Sequence, residues 1–433
     1  MRTRYSSATF LLLPLCLAVT GCSKPAIDLP ASLTTIGQST PVVAHVKDAH
    51  GVRELTATLV QNGKSYQAWK APAATKDSDS SFTFEVGAKT TPELRDGPAQ
   101  LILEAKSGGM FGGTTRLERA VNVTTQPPVV SGDSDQHYLY LGMADLATLN
   151  ITGGYTSAGV HVGNQTFRAW PMPDGKPGLF SLFAFAWNMP AGTTPLVYAS
   201  NGTGSDVTTP LTVIFPKKEQ PVYTQHAIQI SDTFMQKVLG ELDPSGTGDP
   251  VARFVKINTE MRQSNNKTLA DLRLKTAEKF LWSQPFTRQS HAQAEATFAD
   301  VRSYMYHGIK IDQQVHLGYD LAVTQHVGVE ASNDGVVVWA APLGIYGNCI
   351  VVDHGYGLQT IYGHLSRIDV HVGDTVKRSG VMGLSGMTGM AGGDHVHFAM
   401  QLDGVQIDPK EWWDPHWIKD HIARRVDLPG FNG

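Results

Sequence analysis

Short runs of alternating apolar and polar residues, broken by glycine, asparagine and proline, recur along most of this chain. On an extended strand, residues two apart share a face, so such runs bury one side and wet the other. That pattern restricts the chain to packed sheets. Residues 41–47, 54–60 and 82–86 alternate in this way, and 101–105 and 119–123 add two more runs. Asn62-Gly63 stands between two of them and predicts a tight hairpin, because such a turn needs positive φ. Residues 23 to about 36 read as a short tether. Strands of this length and spacing predict an immunoglobulin-like β-sandwich over residues 26–125. Thr124-Thr-Gln-Pro-Pro128 reads as a linker, followed by a second β-rich module of the same class over 128–215. Its predicted strands include 137–141, 180–185 and 210–214. The two modules share no convincing repeat, and neither holds a recognisable catalytic cluster.

The pattern changes after Pro216. Ser231-Asp232 can cap a helix running to Leu242, and Asp249-Pro250 can open a second one to about Arg262. From Thr268 to Leu281, apolar residues fall at roughly helical spacing. We read 217–283 as a helical connector, either a stiff arm or a cover for a site in the domain that follows. Beyond it, residues 284–415 are rich in Val, Ile and Gly, with strands expected over 335–340, 348–353, 358–362 and 396–401. Residues 416–433 form a tail. The fold class is mainly β: two sandwich modules, a connector and a β-rich C-terminal domain.

The first residues carry a targeting pattern. Arg2 and Arg4 precede an apolar stretch from Ala8 to Val19, too short for a confident membrane span and suited to a signal-peptide core. It ends in Val19-Thr20-Gly21-Cys22, which resembles a bacterial lipobox. That resemblance implies a lipoprotein signal peptide over residues 1–22 cut just before Cys22, lipidation of Cys22, and a membrane anchor made of acyl chains. Ser23 after the Cys implies sorting to the outer membrane, facing the periplasm. Cys16 leaves with the leader and Cys22 is consumed, so Cys349 remains alone and no internal disulfide is expected. Its apolar, β-branched neighbours mark Cys349 as a buried strand residue. The net charge of −4, with no basic stripe, argues against nucleic-acid binding.

Seven of the sixteen histidines fall between positions 316 and 397. Three patterns hold most of them: His316-Leu-Gly-Tyr-Asp320, Tyr362-Gly-His364-Leu and His395-Val-His397-Phe. On an extended strand His395 and His397 share a face, as do His316 and Asp320. Zinc takes imidazole nitrogen and carboxylate oxygen, and catalytic sites use three protein ligands with one open position. Two histidines and one aspartate would supply such a set, and the remaining histidines could handle protons.

The order of these patterns, with Asp334-Gly-Val-Val, Thr360-Ile-Tyr-Gly-His-Leu-Ser366, Gly383-Leu-Ser-Gly-Met-Thr-Gly389 and Asp408-Pro409 around them, resembles the lysostaphin-type, or LytM-type, zinc metallopeptidases. The resemblance covers about residues 298–409. It implies that His316, Asp320 and His397 bind Zn2+ and that His364 and His395 are catalytic. It also implies an endopeptidase acting on the stem peptides or cross-links of peptidoglycan. Some relatives have lost their ligands and act as non-catalytic activators or scaffolds of cell-wall hydrolases, whereas all five positions are present here. The β modules leave room for envelope protein partners. Upstream of His316 the chain departs from the family's Phe-Gly-X-Arg-like segment, with Phe298-Ala-Asp-Val-Arg302 in its place, so the wall of the groove is expected to differ. Tyr304 or Tyr306 serves either core packing or the transition state.

Overall fold

The computed structural model describes residues 23–31, 33–110, 112–190, 192–202, 207–216, 223–428 and 430–431. The leader and Cys22 lie outside the described residues. The chain is mainly β and divides into two compact units, one of residues 1–127 with 200–205 and one of residues 128–199 with 206–433.

In the first unit a three-stranded sheet and a five-stranded sheet share one core. The first sheet runs Ala26–Asp28, Thr40–Lys47, Asp79–Val86; the second runs Thr35–Ile36, Thr114–Val123, Gly97–Ser107, Val52–Gln61, Lys64–Lys70. Val42, Ala44 and Val46 of one sheet meet Leu55, Ala57, Leu59, Leu101 and Leu103 of the other. The predicted hairpin is present, with φ of 52° at Asn62 and 74° at Gly63. Residues 23–36 are not a loose tether. Ala26–Asp28 pairs with Thr40–Lys47 and Thr35–Ile36 with Thr114–Val123. Buried Leu29, Leu33 and Ile36 supply the driving force.

In the second unit residues 128–215 form two four-stranded sheets and one short strand pair. Of the predicted 137–141 strand, His137–Tyr138 is strand, pairing in parallel with Val213–Ile214, and Leu139 N continues with a bond to Ile214 O at 2.9 Å. These sheets and the C-terminal domain share a continuous core. Phe180 packs at 5.8 Å from Phe280 and 4.8 Å from Tyr356 between ring centroids. Arg168 Nη2 reaches Asp403 Oδ1 at 3.0 Å.

The connector begins with a strand that the sequence reading missed, Gln225–Ile230, which pairs in parallel with Asp300–Tyr306. Helix α1, Asp232–Leu242, starts as expected, with Ser231 Oγ accepting from Phe234 N at 3.1 Å. Helix α2, Pro250–Lys256, is capped by Asp249 and runs through a π-helical stretch, Ile257–Met261, into α3, Arg262–Asp271. The expected helix over 268–281 stops after a short 3-10 turn at Leu274. Beyond it the backbone is consumed by tertiary bonds: Ala277 N donates to Asp353 Oδ2 and Leu281 N to His354 O. Phe280 inserts among Phe180, Trp282 and Tyr356.

An eight-stranded antiparallel sheet builds the C-terminal domain. Its order is Gln293–Ala296, Tyr319–Ala322, His395–Leu402, Leu358–Leu365, Asn348–Asp353, Gly335–Pro342, Thr375–Val376, with Val405–Ile407 also on His395–Leu402. Cys349 is fully buried in it. The tail turns helical at Pro415–Ile418, buries Ile418, Ile422, Val426 and Leu428 in the same core, and pairs Arg424 and Arg425 with acids of residues 133–145. There His137 Nδ1 lies 2.7 Å from Asp145 Oδ2 and Nε2 3.1 Å from Asp133 Oδ1, while Arg425 Nη1 reaches Asp145 Oδ1 at 3.2 Å. Burial alone would lower the His137 pKa, but the hydrogen bonds to Asp133 and Asp145 outweigh it and push it up to about 9. Burial would likewise raise Asp145, yet His137, His421 and Arg425 hold it down at about 2.

A raised histidine stabilises the fold fully below its ordinary 6.5, and that contribution is lost as pH rises through about 9. Asp145→Asn leaves His137 and Arg425 without their buried acid, so it should destabilise the second unit by ~3–5 kcal/mol near neutrality. Calorimetric melting should show the gap between wild type and variant narrowing from pH 6 to pH 10. A gap that stays constant over that range would contradict this account.

Candidate active site

The three histidine patterns converge because of strand register. His316 ends the strand Ile309–His316, and a two-residue link leads into Tyr319–Ala322. That strand pairs antiparallel with His395–Leu402, so Asp320 stands opposite His397 and Ala322 opposite His395. On the other side of His397 stands Gly363 of Leu358–Leu365. Cross-strand neighbours lie close enough for their side chains to meet. Gly318 explains the glycine of the first pattern. A Cβ there would lie 2.8 Å from His397 Cε1 and 2.6 Å from Phe398 O. His364 sits at φ 66°, a conformation unfavourable for a branched-off side chain and one that concentrates at functional sites.

His316 Nε2, Asp320 Oδ1 and His397 Nδ1 form a tight triangle. The edges are 2.9 Å from His316 to Asp320, 3.1 Å from His397 to Asp320 and 2.9 Å between the two imidazoles. All three donors are drawn within 4.8 Å of one another, and this is the one such group among the described residues. His316 Nδ1 donates to Thr297 O at 3.1 Å, which leaves the lone pair on Nε2 facing the triangle. His397 Nε2 is buried with no hydrogen-bond partner, so its only polar contacts are those of Nδ1 inside the cluster. Two nitrogens and an oxygen at such separations match one face of a zinc tetrahedron, whose edges are ~3.3 Å for ligand bonds of about 2.0–2.1 Å. These residues therefore fit a divalent metal ion.

His364 and His395 stand beside the triangle, their ring centroids 4.8 Å apart. His364 Nδ1 donates to Thr388 O at 2.8 Å and His395 Nδ1 to Gly393 O at 2.9 Å. That leaves His364 Nε2 open to the cavity, while Nε2 of His395 faces Asp320 Oδ1 at 3.4 Å. Burial, helped by the neighbouring His395 and His397, holds His364 well below the usual imidazole range. Burial would also lower His395, but its bond to Asp320 raises it. Burial penalises the Asp320 carboxylate, yet His316, His395 and His397 hold it well below its ordinary value.

One contact was not foreseen from sequence. Arg302 Nη2 donates to Asp320 Oδ2 at 2.6 Å, leaving Oδ1 to the histidines. Arg302 closes the segment that departs from the family's upstream pattern, and its strand pairs with the one that ends at His316. Of the two tyrosines weighed there, Tyr304 lines the site and Tyr306 turns away to donate to Asp232. His354, one residue beyond a strand, is fully buried between Asp334 O and Thr360 Oγ1, both at 2.8 Å, and burial lowers its pKa to about 4.

The five residues line a cavity of about 330 Å³. One wall belongs to the connector, through residues 228–231, Phe234, Arg262 and Asn266. Helix α1 also grips the loop across from it: Lys237 Nζ donates to the carbonyls of Met387 (2.5 Å), Gly389 (2.6 Å) and Ala391 (3.2 Å). Glu241 accepts from Gly389 N.

Residues 314–409 match the sequence profile of Peptidase family M23. Over 106 residues the chain is 35% identical to the DD-carboxypeptidase/endopeptidase Mpg of Neisseria meningitidis serogroup B, a match covering 24% of each protein. Over 93 residues it is 40% identical to the peptidoglycan DD-endopeptidase ShyA of Vibrio cholerae, covering 22% of each. Among solved structures, the catalytic domain of the antimicrobial peptidase lysostaphin from Staphylococcus simulans is similar at 30% identity. That likeness covers 23% of this chain and 79% of the other, with a TM-score of 0.22. The chain thus spans about a quarter of the length of the curated relatives it matches. Its C-terminal segment is a LytM-type domain of Peptidase family M23.

Proposed function

We propose that this protein is a zinc-dependent endopeptidase that hydrolyses stem or cross-link peptides of peptidoglycan, held at the envelope by lipid on Cys22. The observation that carries the reading is the triangle of His316 Nε2, Asp320 Oδ1 and His397 Nδ1, with two more histidines opening on the same cavity. His316, Asp320 and His397 would hold the zinc ion. Bound there, zinc supplies Lewis-acid polarisation of a carbonyl and a water of lowered pKa. Arg302 keeps the Asp320 carboxylate turned toward the two imidazoles. His364 and His395, each pinned through Nδ1, present Nε2 to the cavity as the proton-handling pair. One accepts the proton of the attacking water; the other donates to the oxygen or amine on which charge develops. The names of Mpg and ShyA support the substrate class.

Stripping metal with a chelator should stop release of peptides from isolated sacculi, and added zinc should restore it. Elemental analysis should then find one zinc per chain in wild type and none in Asp320→Ala. Product release untouched by chelation would end the hydrolytic reading. A chain that binds zinc, cuts nothing and stimulates an amidase would instead support the non-catalytic activator.

His364→Ala and His395→Ala should each keep zinc while kcat falls ~10²–10⁴-fold. Zinc loss in either variant would reassign that residue to the metal.

Localisation is tested at Cys22. Palmitate should label the wild type, and Cys22→Ala should move the protein from the outer-membrane fraction into the soluble periplasm. An unlabelled wild type would remove the anchor from the proposal.

A further inference from the structure

Arg262 stands in the wall of the catalytic cavity on the connector, not on the M23 domain. Its Nε donates to Asn258 O at 3.1 Å, and Nη2 donates to Asn258 Oδ1 at 2.6 Å and meets Met390 Sδ at 3.5 Å. Nη1 enters none of these bonds. Among the described residues no carboxylate pairs with Arg262; Asp312 is reached only through the Asn258 amide, whose Nδ2 donates to Asp312 Oδ2 at 2.6 Å. The other arginine of the cavity, Arg302, is paired with Asp320, and both oxygens of Asp320 are engaged. Arg262 is therefore the cation of this cavity without an acid of its own. A half-buried guanidinium without a counter-charge is costly unless a ligand supplies one.

Local structure is arranged around this residue. The π-helical stretch Ile257–Met261 immediately precedes it, and Asn258 in that stretch is fully buried and clamps the guanidinium. Such π segments are frequent at functional sites. One helical turn on, Asn266 shares the face of Arg262 and lines the same cavity. Its Oδ1 accepts from Tyr346 OH at 2.9 Å, which leaves its Nδ2 donors uncommitted. The helix is pressed onto the domain here: Asn265 Oδ1 accepts from Ile345 N at 2.9 Å, and a Cβ on Gly344 would lie 2.3 Å from it.

We infer that Arg262, assisted by Asn266, binds a free carboxylate that flanks the scissile amide and thereby selects carboxylate-bearing peptides over their amidated forms. The inference rests on the peptidase reading and adds the substrate feature that the connector recognises. A guanidinium fork suits a carboxylate better than any neutral group, through two charge-assisted bonds.

The probes are a cross-linked peptide whose acceptor residue carries a free carboxylate beside the scissile internal amide and the same peptide with that carboxylate as its carboxamide. Binding is measured by calorimetry on the full chain kept metal-free with a chelator, and hydrolysis on the zinc-loaded chain. Wild type should bind the carboxylate form ~10-fold or more tightly than the carboxamide, and kcat/KM should follow. Arg262→Gln should erase that preference while its carboxamide binding stays within about twofold of wild type, and Arg262→Lys should restore part of it. Equal affinity of wild type for both peptides, or no measurable binding of either, would overturn the assignment. So would an Arg262→Gln loss equal for both peptides, which marks a structural role. Preferred binding of the carboxylate without any zinc-dependent cutting would leave Arg262 in place and bring down the peptidase reading instead.

Discussion

The candidate site depends on one strand register, the antiparallel pairing of Tyr319–Ala322 with His395–Leu402. That pairing sets Asp320 against His397 and brings His395 to the same edge. A slip of one residue would turn His397 and Asp320 to opposite faces of the sheet and scatter the triangle. The register is secured by what lies between the polar residues. Leu321, Val396, Phe398 and Met400 point into the core and are buried. The apolar alternation that stabilises the sheet and the polar alternation that builds the site are two faces of one pleat.

Around this ladder the cavity is assembled from pieces far apart in sequence. The connector adds a strand beside Asp300–Tyr306, a helix that grips the loop of Met387 to Ala391, and the helix bearing Arg262. Residues 128–215 share a core with the same domain, and the tail binds back onto them through Asp145 and Arg425. The matched 96 or so residues of the M23 domain are thus embedded in a larger folded unit. One wall of the groove comes from outside them.

Much of this was legible along the chain. The hairpin at Asn62-Gly63, the caps at Ser231 and Asp249, and the strands of the C-terminal domain follow from turn chemistry and alternation, which are local properties. Errors arose where tertiary contacts overrode local preference. Residues 275–281 carry helical spacing, yet Phe280 is drawn out of a helix to stack on Phe180 and meet Tyr356 edge-on. Gln225–Ile230 lacks a strong strand pattern of its own and is held by its partner strand. Residues 23–36 looked like a tether because edge strands of two or three residues leave almost no periodic signal.

From sequence alone, the three histidine patterns, taken together with their resemblance to the LytM-type peptidases, were enough to nominate His316, Asp320, His364, His395 and His397. Their convergence is a matter of tertiary structure, since it requires ladder pairing between segments some eighty residues apart, and no local rule specifies which strands become neighbours. The same holds for Arg302 on Asp320 and for Arg262 in the cavity wall. Their significance lies in which charges stand nearby, and a chain read residue by residue has no record of distance.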